Sequence, residues 1–123
     1  MSFRLFVDAC KTGYGFILMD NESIIYQESG KIEGRTTNEA EYLSLVNGLQ
    51  YVLDQGIQSI DIYSDSELVV NQLNNKYRVK SRTLQLWHNM AGRRMSKLRC
   101  RLQHIPGELN PADALSRGGK KDE

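Results

Sequence analysis

The segment Ile60-Asp61-Ile62-Tyr63-Ser64-Asp65-Ser66-Glu67 reads as a buried strand that stops on a carboxylate and turns at once into a helix. An earlier strand, Phe3-Arg4-Leu5-Phe6-Val7-Asp8, ends in the same way, and a helical pattern from about Thr37 to Leu53 lies between the two. Strand, helix, strand is a right-handed crossover, and its strands, if they pair as parallel neighbours, run about 4.8 Å apart. Their carboxyl ends then bring Asp8 and Asp65 side by side at the rim where α/β sheets bind ligands. Adjacent carboxylates repel each other, and a divalent cation relieves that repulsion.

The rest of the chain builds a sheet around this crossover. Phe3, Leu5 and Val7 alternate with Arg4, Phe6 and Asp8. Tyr14 to Met19 and Ser23 to Glu28 follow as two more strands, joined by a turn at Asp20-Asn21-Glu22, so the first three strands form an antiparallel meander. Thr37 or Asn38 can cap the long helix, whose Tyr42, Val46, Leu49 and Leu53 mark a core-facing stripe, and Gly56 suits its left-handed end. After the Ile60 strand comes a short helix from about Ser66 to Leu73, with Leu68, Val69 and Leu73 inward. Ser81 caps another helix running to about Met95, with Leu84, Trp87, Ala91 and Met95 available for the core. Leu98, Cys100 and Leu102 alternate as a last strand, and Asn110-Pro111 starts a short final helix carrying Asp113. The expected fold is α/β, a five-stranded mixed sheet of three antiparallel strands followed by two parallel ones, with helices on both faces.

At 123 residues this is one domain, expected over residues 1–117, with 118–123 as a frayed tail. No apolar run approaches the roughly 20 residues of a membrane span, and no signal-like start precedes Phe3. Cys10 and Cys100 lack metal-ligand spacing and read as free thiols in a reducing compartment, which makes cytoplasm the expected location. The net charge of +1 conceals a division: residues 1–70 hold 4 Lys/Arg and 11 Asp/Glu, residues 71–123 hold 12 and 4. An acidic site beside a basic surface suits a metal nuclease, although two solvated faces of opposite sign would look the same. Arg93, Arg94 and Lys97 are candidates for phosphate contacts, and they also complement a helix C-terminus.

Four acids fall at element ends where they can converge: Asp8, Glu41, Asp65 and Asp113. Phosphodiester hydrolysis by two divalent ions needs such a set, one ion activating water and the other stabilising the leaving oxygen about 3.5–4 Å away. Oxygen ligands select Mg²⁺ or Mn²⁺ over zinc. Each acid also has a structural reading, as a strand-end turn residue for Asp8 and Asp65 or as the partner of a cap at Asn38 or Asn110 for Glu41 and Asp113.

Phe6-Val7-Asp8-Ala9, Thr37-Asn38-Glu39-Ala40-Glu41-Tyr42, Tyr63-Ser64-Asp65-Ser66 and Asn110-Pro111-Ala112-Asp113-Ala114-Leu115 resemble, in order, the four active-site blocks of type 1 ribonucleases H. The resemblance covers nearly the whole chain and implies the ribonuclease H-like fold. It further implies cleavage of the RNA strand of RNA/DNA hybrids with two Mg²⁺ ions, leaving 5′-phosphate ends. It assigns Asp8 to both ions, Asp113 to the water-activating ion, and Glu41 with Asp65 to the ion on the leaving side. Thr36, Thr37 and Asn38 would contact the hybrid backbone, Asn110 a phosphate of the DNA strand, and Gln72 the minor groove. The expected partner is the hybrid, with no membrane, and the expected state is a monomer.

The chain departs from the family pattern in places. The loop after Asp8 is shorter than the glycine- and proline-rich loop of many members, and the basic handle is reduced to Asn74 through Lys80. Where many members have a histidine that helps product leave, Glu108 is the nearer residue, since His104 belongs to the strand; His88 reads as a helix-surface or partly buried residue. His104-Ile105-Pro106-Gly107 with Asp113-Ala114-Leu115-Ser116-Arg117 also resembles ribonuclease H domains of retroelement reverse transcriptases. Two alternatives remain open at this level: a catalytically idle hybrid-binding module of the same fold, and a related two-metal nuclease acting on another nucleic acid.

Overall fold

The computed structural model describes residues 2–117; the tail expected at 118–123 lies outside them. Strands β1 (Phe3–Cys10), β2 (Gly13–Asp20) and β3 (Ser23–Lys31) form the antiparallel meander. Helix α1 (Thr37–Asp54) crosses to β4 (Ser59–Ser64), which pairs parallel with β1. Helices α2 (Glu67–Leu73) and α3 (Arg82–Met95) precede β5 (Arg99–His104), which pairs parallel with β4. A 3₁₀ turn (Gly107–Leu109) and a four-residue helix α4 (Asp113–Ser116) end the fold. The sheet order is β3-β2-β1-β4-β5, the mixed sheet expected from the sequence.

Alternation along the strands feeds two cores. Leu5, Val7, Phe16, Leu18, Ile60 and Ile62 face Tyr42, Leu45, Leu49 and Val52 of α1, together with Val69 and Val70 of α2 and Ala91 of α3. Each such fully buried aliphatic side chain contributes about 1.5–3 kcal/mol relative to exposure. Phe6 and Ile17 point to the opposite face, where Ala112, Leu115 and Ile105 cover them. Helices therefore lie on both faces, but unequally: among the described residues, α1, α2 and α3 cover one and α4 alone the other. On α2 the inward residues are Val69 and Val70, with Leu68 half-buried. Among the described residues no helix is long and apolar enough to cross a membrane.

The cap of α1 differs from expectation. Thr36, in extended backbone (φ −77°, ψ 164°), accepts the Glu39 N–H, and Glu39 in turn accepts the Thr36 N–H, each at 3.1 Å. This reciprocal capping box fixes the start of the helix one residue before Thr37, because Glu39 stands three residues after Thr36. Thr37 and Asn38 are left exposed on the first turn.

Candidate active site

The β1 and β4 register pairs Val7 with Ser64, so the next side chains along both strands, Asp8 and Asp65, emerge at the same rim. The capping box sets the helical phase of α1, and five residues after its cap Glu41 turns inward toward that rim. Asp8, Glu41 and Asp65 each offer a carboxylate oxygen, and these atoms lie within 4.8 Å of one another. Asp8 is 3% exposed and Glu41 9%. Glu41 Oε1 is buried with no hydrogen-bond partner.

Those facts have one electrostatic consequence. Burial, followed by the Asp65 charge and hydrogen bonding with Asp65 and Asp113, raises Asp8 from its ordinary 3.8 to about 7. Burial, followed by the charges of Asp8 and Asp65, pushes Glu41 up to about 9. A buried carboxylate oxygen with no donor is costly, and three acids within contact distance multiply that cost. The donor set, hard oxygens from carboxylates with one oxygen orphaned, fits a divalent cation.

Residues 6–118 match the model of the reverse transcriptase-like family. The chain belongs to this family. It is 30% identical over 114 residues to the ribonuclease HI of Halobacterium salinarum, a match covering 83% of this chain and 53% of that relative, so the chain spans about half the relative's length. Among solved structures, the N-terminal ribonuclease H domain of a Mycobacterium tuberculosis protein superposes with a TM-score of 0.89 at 25% identity, over 95% of this chain and 91% of that one. LC11 ribonuclease H1, solved in complex with an RNA/DNA hybrid, gives 0.84 at 26% identity, over 93% of each chain. The type 1 ribonuclease H resemblance seen in the four sequence blocks is thus borne out, and so is its fold.

Within this reverse transcriptase-like frame the other site residues fall into distinct places. Asp113 lies within hydrogen-bonding reach of Asp8, yet it stands beside the three-acid cluster, with Oδ1 3.4 Å from the Arg117 guanidinium. Thr36 and Asn38 line a cleft of about 320 Å³ together with Glu39, Ser81, Thr83 and Leu84. Ser81 caps α3 as Thr36 caps α1, so two helix N-termini open on one cleft. Glu108 is exposed on the 3₁₀ turn, and the backbone of the neighbouring Gly107 passes against the Asp65 carboxylate. His104 ends β5 and His88 is half-buried with Nε2 3.2 Å from the Gln72 carbonyl, as their sequence positions suggested.

Three expectations need correction or relocation. Gln72 does not face the groove: it is 4% exposed, its Oε1 accepts the Tyr42 hydroxyl at 2.6 Å, and its Nε2 donates to the Arg78 carbonyl at 3.3 Å. It satisfies a buried tyrosine rather than reading a base. Asn110 is equally buried, donating from Nδ2 to the Val7 carbonyl at 2.9 Å and accepting the Ala112 N–H at 3.0 Å; it fastens the last segment to β1 without capping α4. Arg93 and Arg94 lie far from the carboxylates. Trp87 reaches Glu39 near the start of α1 and Arg94 reaches Gln50 near its end, so α3 runs parallel to α1 and carries its C-terminal cations to the opposite end. The exposed cations flanking the cleft are instead Arg35, Lys80 and Arg82. Sequence reasoning missed Ser116, whose hydroxyl lies 3.2 Å from Asp8 Oδ2; its spacing of three residues from Asp113 on a helix was the available signal.

Proposed function

We propose that this chain is a metal-dependent endonuclease that hydrolyses the RNA strand of RNA/DNA hybrids, leaving 5′-phosphate ends. The observation that carries this reading is the convergence of Asp8, Glu41 and Asp65 on one point, with Glu41 Oε1 buried and unpartnered. The ribonuclease HI relative and the hybrid-bound LC11 enzyme support it. Asp8, Glu41 and Asp65 would hold two Mg²⁺ ions, or Mn²⁺ in their place, with Asp113 completing the set. Bound ions supply activation of water and neutralisation of charge on the leaving oxygen.

The remaining residues bind and orient. Thr36, Thr37 and Asn38 contact the hybrid backbone at the cleft, where the N-termini of α1 and α3 favour a phosphate. The cleft offers the hybrid a fixed phosphate register, with the carboxylates held at the neighbouring rim. Asn110 acts by holding Val7, one residue before Asp8. Glu108, exposed on the turn whose Gly107 passes against the Asp65 carboxylate, would help product leave.

A second reading, a hybrid-binding module without catalysis, is favoured by the Arg117 ion pair that draws Asp113 aside. That pair joins an exposed arginine to an acid four residues away, a contact worth about 0.3–0.5 kcal/mol, and a cation at the site outbids it readily.

The test is cleavage of end-labelled RNA/DNA hybrid, RNA duplex and DNA duplex, each with Mg²⁺, Mn²⁺ or EDTA. Metal-dependent cutting confined to the RNA of the hybrid is the expected result; binding of hybrid with no cutting would establish the idle module. The relocated basic surface gives a further expectation. Lys80→Ala with Arg82→Ala should weaken hybrid binding and lower the slope of log K against log salt by about 1–2, whereas Arg93→Ala with Arg94→Ala should leave both unchanged. Titrations at several salt concentrations decide it, and equal losses from the two pairs would show a diffuse charge effect.

A further inference from the structure

We infer that Ser116 is a positioning residue for Asp8, delivered to it by the close seating of α4 on β2; the inference rests on the proposed metal-dependent cleavage. The Ser116 hydroxyl lies 3.2 Å from Asp8 Oδ2 and 2.9 Å from the Asp113 carbonyl. It has one proton and two acceptors. When Asp8 is ionised, the charge-assisted bond is roughly twice as strong as the neutral one, so the proton points at Asp8. Ser116 is 3% exposed, and water is a poor competitor at that contact. Holding Oδ2 fixes the plane of the Asp8 carboxylate, and with it the placement of the other oxygen relative to Glu41 and Asp65.

A helix of four residues has no stability of its own, so something else must set the position of this hydroxyl. The seat is built into β2. Gly15 pairs with Asp8 and Gly13 with Cys10 across the hairpin. A Cβ on Gly15 would lie 2.4 Å from Leu115 Cβ, and one on Gly13 would lie 2.4 Å from the Ser116 carbonyl oxygen. Only a bare strand admits α4 at this depth. The Cys10 thiol donates to the same Ser116 carbonyl at 3.4 Å, and Asn110 ties the entry of the helix to Val7. Capping of the helix end explains the bond to the Asp113 carbonyl. It does not explain the bond to Asp8.

The experiment compares wild type, Ser116→Ala and Ser116→Thr in three readouts: kcat and KM on the hybrid at saturating Mg²⁺, Mn²⁺ binding without nucleic acid followed by the electron paramagnetic resonance of free Mn²⁺, and the melting temperature. Ser116→Ala is expected to lower kcat about tenfold with KM unchanged, and to weaken Mn²⁺ binding about tenfold as well, the lower end of what losing a hydrogen-bond partner of a metal-ligating carboxylate costs. Ser116→Thr, which keeps the hydroxyl, is expected to recover most of both. If Ser116→Ala does not fold, Ser116→Cys, of similar shape with a weak donor, replaces it. Wild-type kcat and Mn²⁺ affinity in the alanine variant would overturn the inference. So would a folded threonine variant as impaired as alanine, which would make the role one of packing. Failure of the wild-type protein to cut hybrid at all would instead defeat the proposed function, while the Mn²⁺ comparison would still judge Ser116.

Discussion

Asp8→Asn is expected to reduce hybrid cleavage by at least about a thousandfold while leaving the fold intact, because the loss falls on the central charge of the site. Asp8 has carboxylate oxygens of Asp65 and Glu41 within 4.8 Å and Asp113 within hydrogen-bonding reach, so it is the acid in contact with all the others. Asparagine keeps the shape, and its amide oxygen can still accept the Ser116 hydroxyl. Removing one negative charge from a crowded set also lowers repulsion. The metal-free variant should therefore melt at or slightly above the wild-type temperature, and a drop in activity cannot be blamed on unfolding. Single-turnover cleavage with a thermal melt on the same samples checks both halves. Full Mg²⁺-dependent activity in this variant would remove the proposed site.

The second large effect is on stability, and it depends on pH. Burial and the neighbouring acids raise Glu41 to about 9 and Asp8 to about 7, both above their ordinary values near 4. The folded protein therefore binds these protons more tightly than the unfolded chain does. The stabilisation they bring is fully present below about pH 4 and is lost as pH rises, through about 7 for Asp8 and about 9 for Glu41. In EDTA, the contribution of these two groups should fall steadily between pH 5 and pH 9. Glu41→Gln supplies a neutral side chain of the same size and should raise the melting temperature at pH 8 by several degrees, on the order of 1–3 kcal/mol. Mg²⁺ should reverse the order, stabilising wild type by mass action and the glutamine variant much less. A melting temperature for the variant below wild type in EDTA at pH 8 would show that Glu41 is already neutralised by something other than a proton or a cation.

The parts of this molecule that were legible in the sequence share a property: a single local pattern determines them. Two strands ending on Asp8 and Asp65 around a helix dictate a parallel pair, and that pair dictates their adjacency. Glu41 followed because one turn of helix beyond a cap reaches the same rim. The cap itself was misplaced by one or two residues, since Thr36, Thr37 and Asn38 are all competent and only the partner at Glu39 selects among them. Gln72 looked like a surface amide because α2 is too short to show its phase, and the Tyr42 hydroxyl that demands its burial comes from another element thirty positions away. The direction of α3 relative to α1, which sends Arg94 away from the carboxylates, is a tertiary fact with no signature in either helix.

The unequal dressing of the sheet has a bearing on how the protein fails. Glu41 stands on α1 over the thick core, and its position persists as long as the whole domain does. Asp113 rides on α4, a single turn on the thin face, and Asp8 takes the Ser116 hydroxyl from that same turn. Segments of that kind open locally at a fraction of the global unfolding free energy. Under the proposed function, cleavage is therefore expected to fade at a lower temperature than the sheet melts, a difference that activity and circular dichroism read on one heated sample.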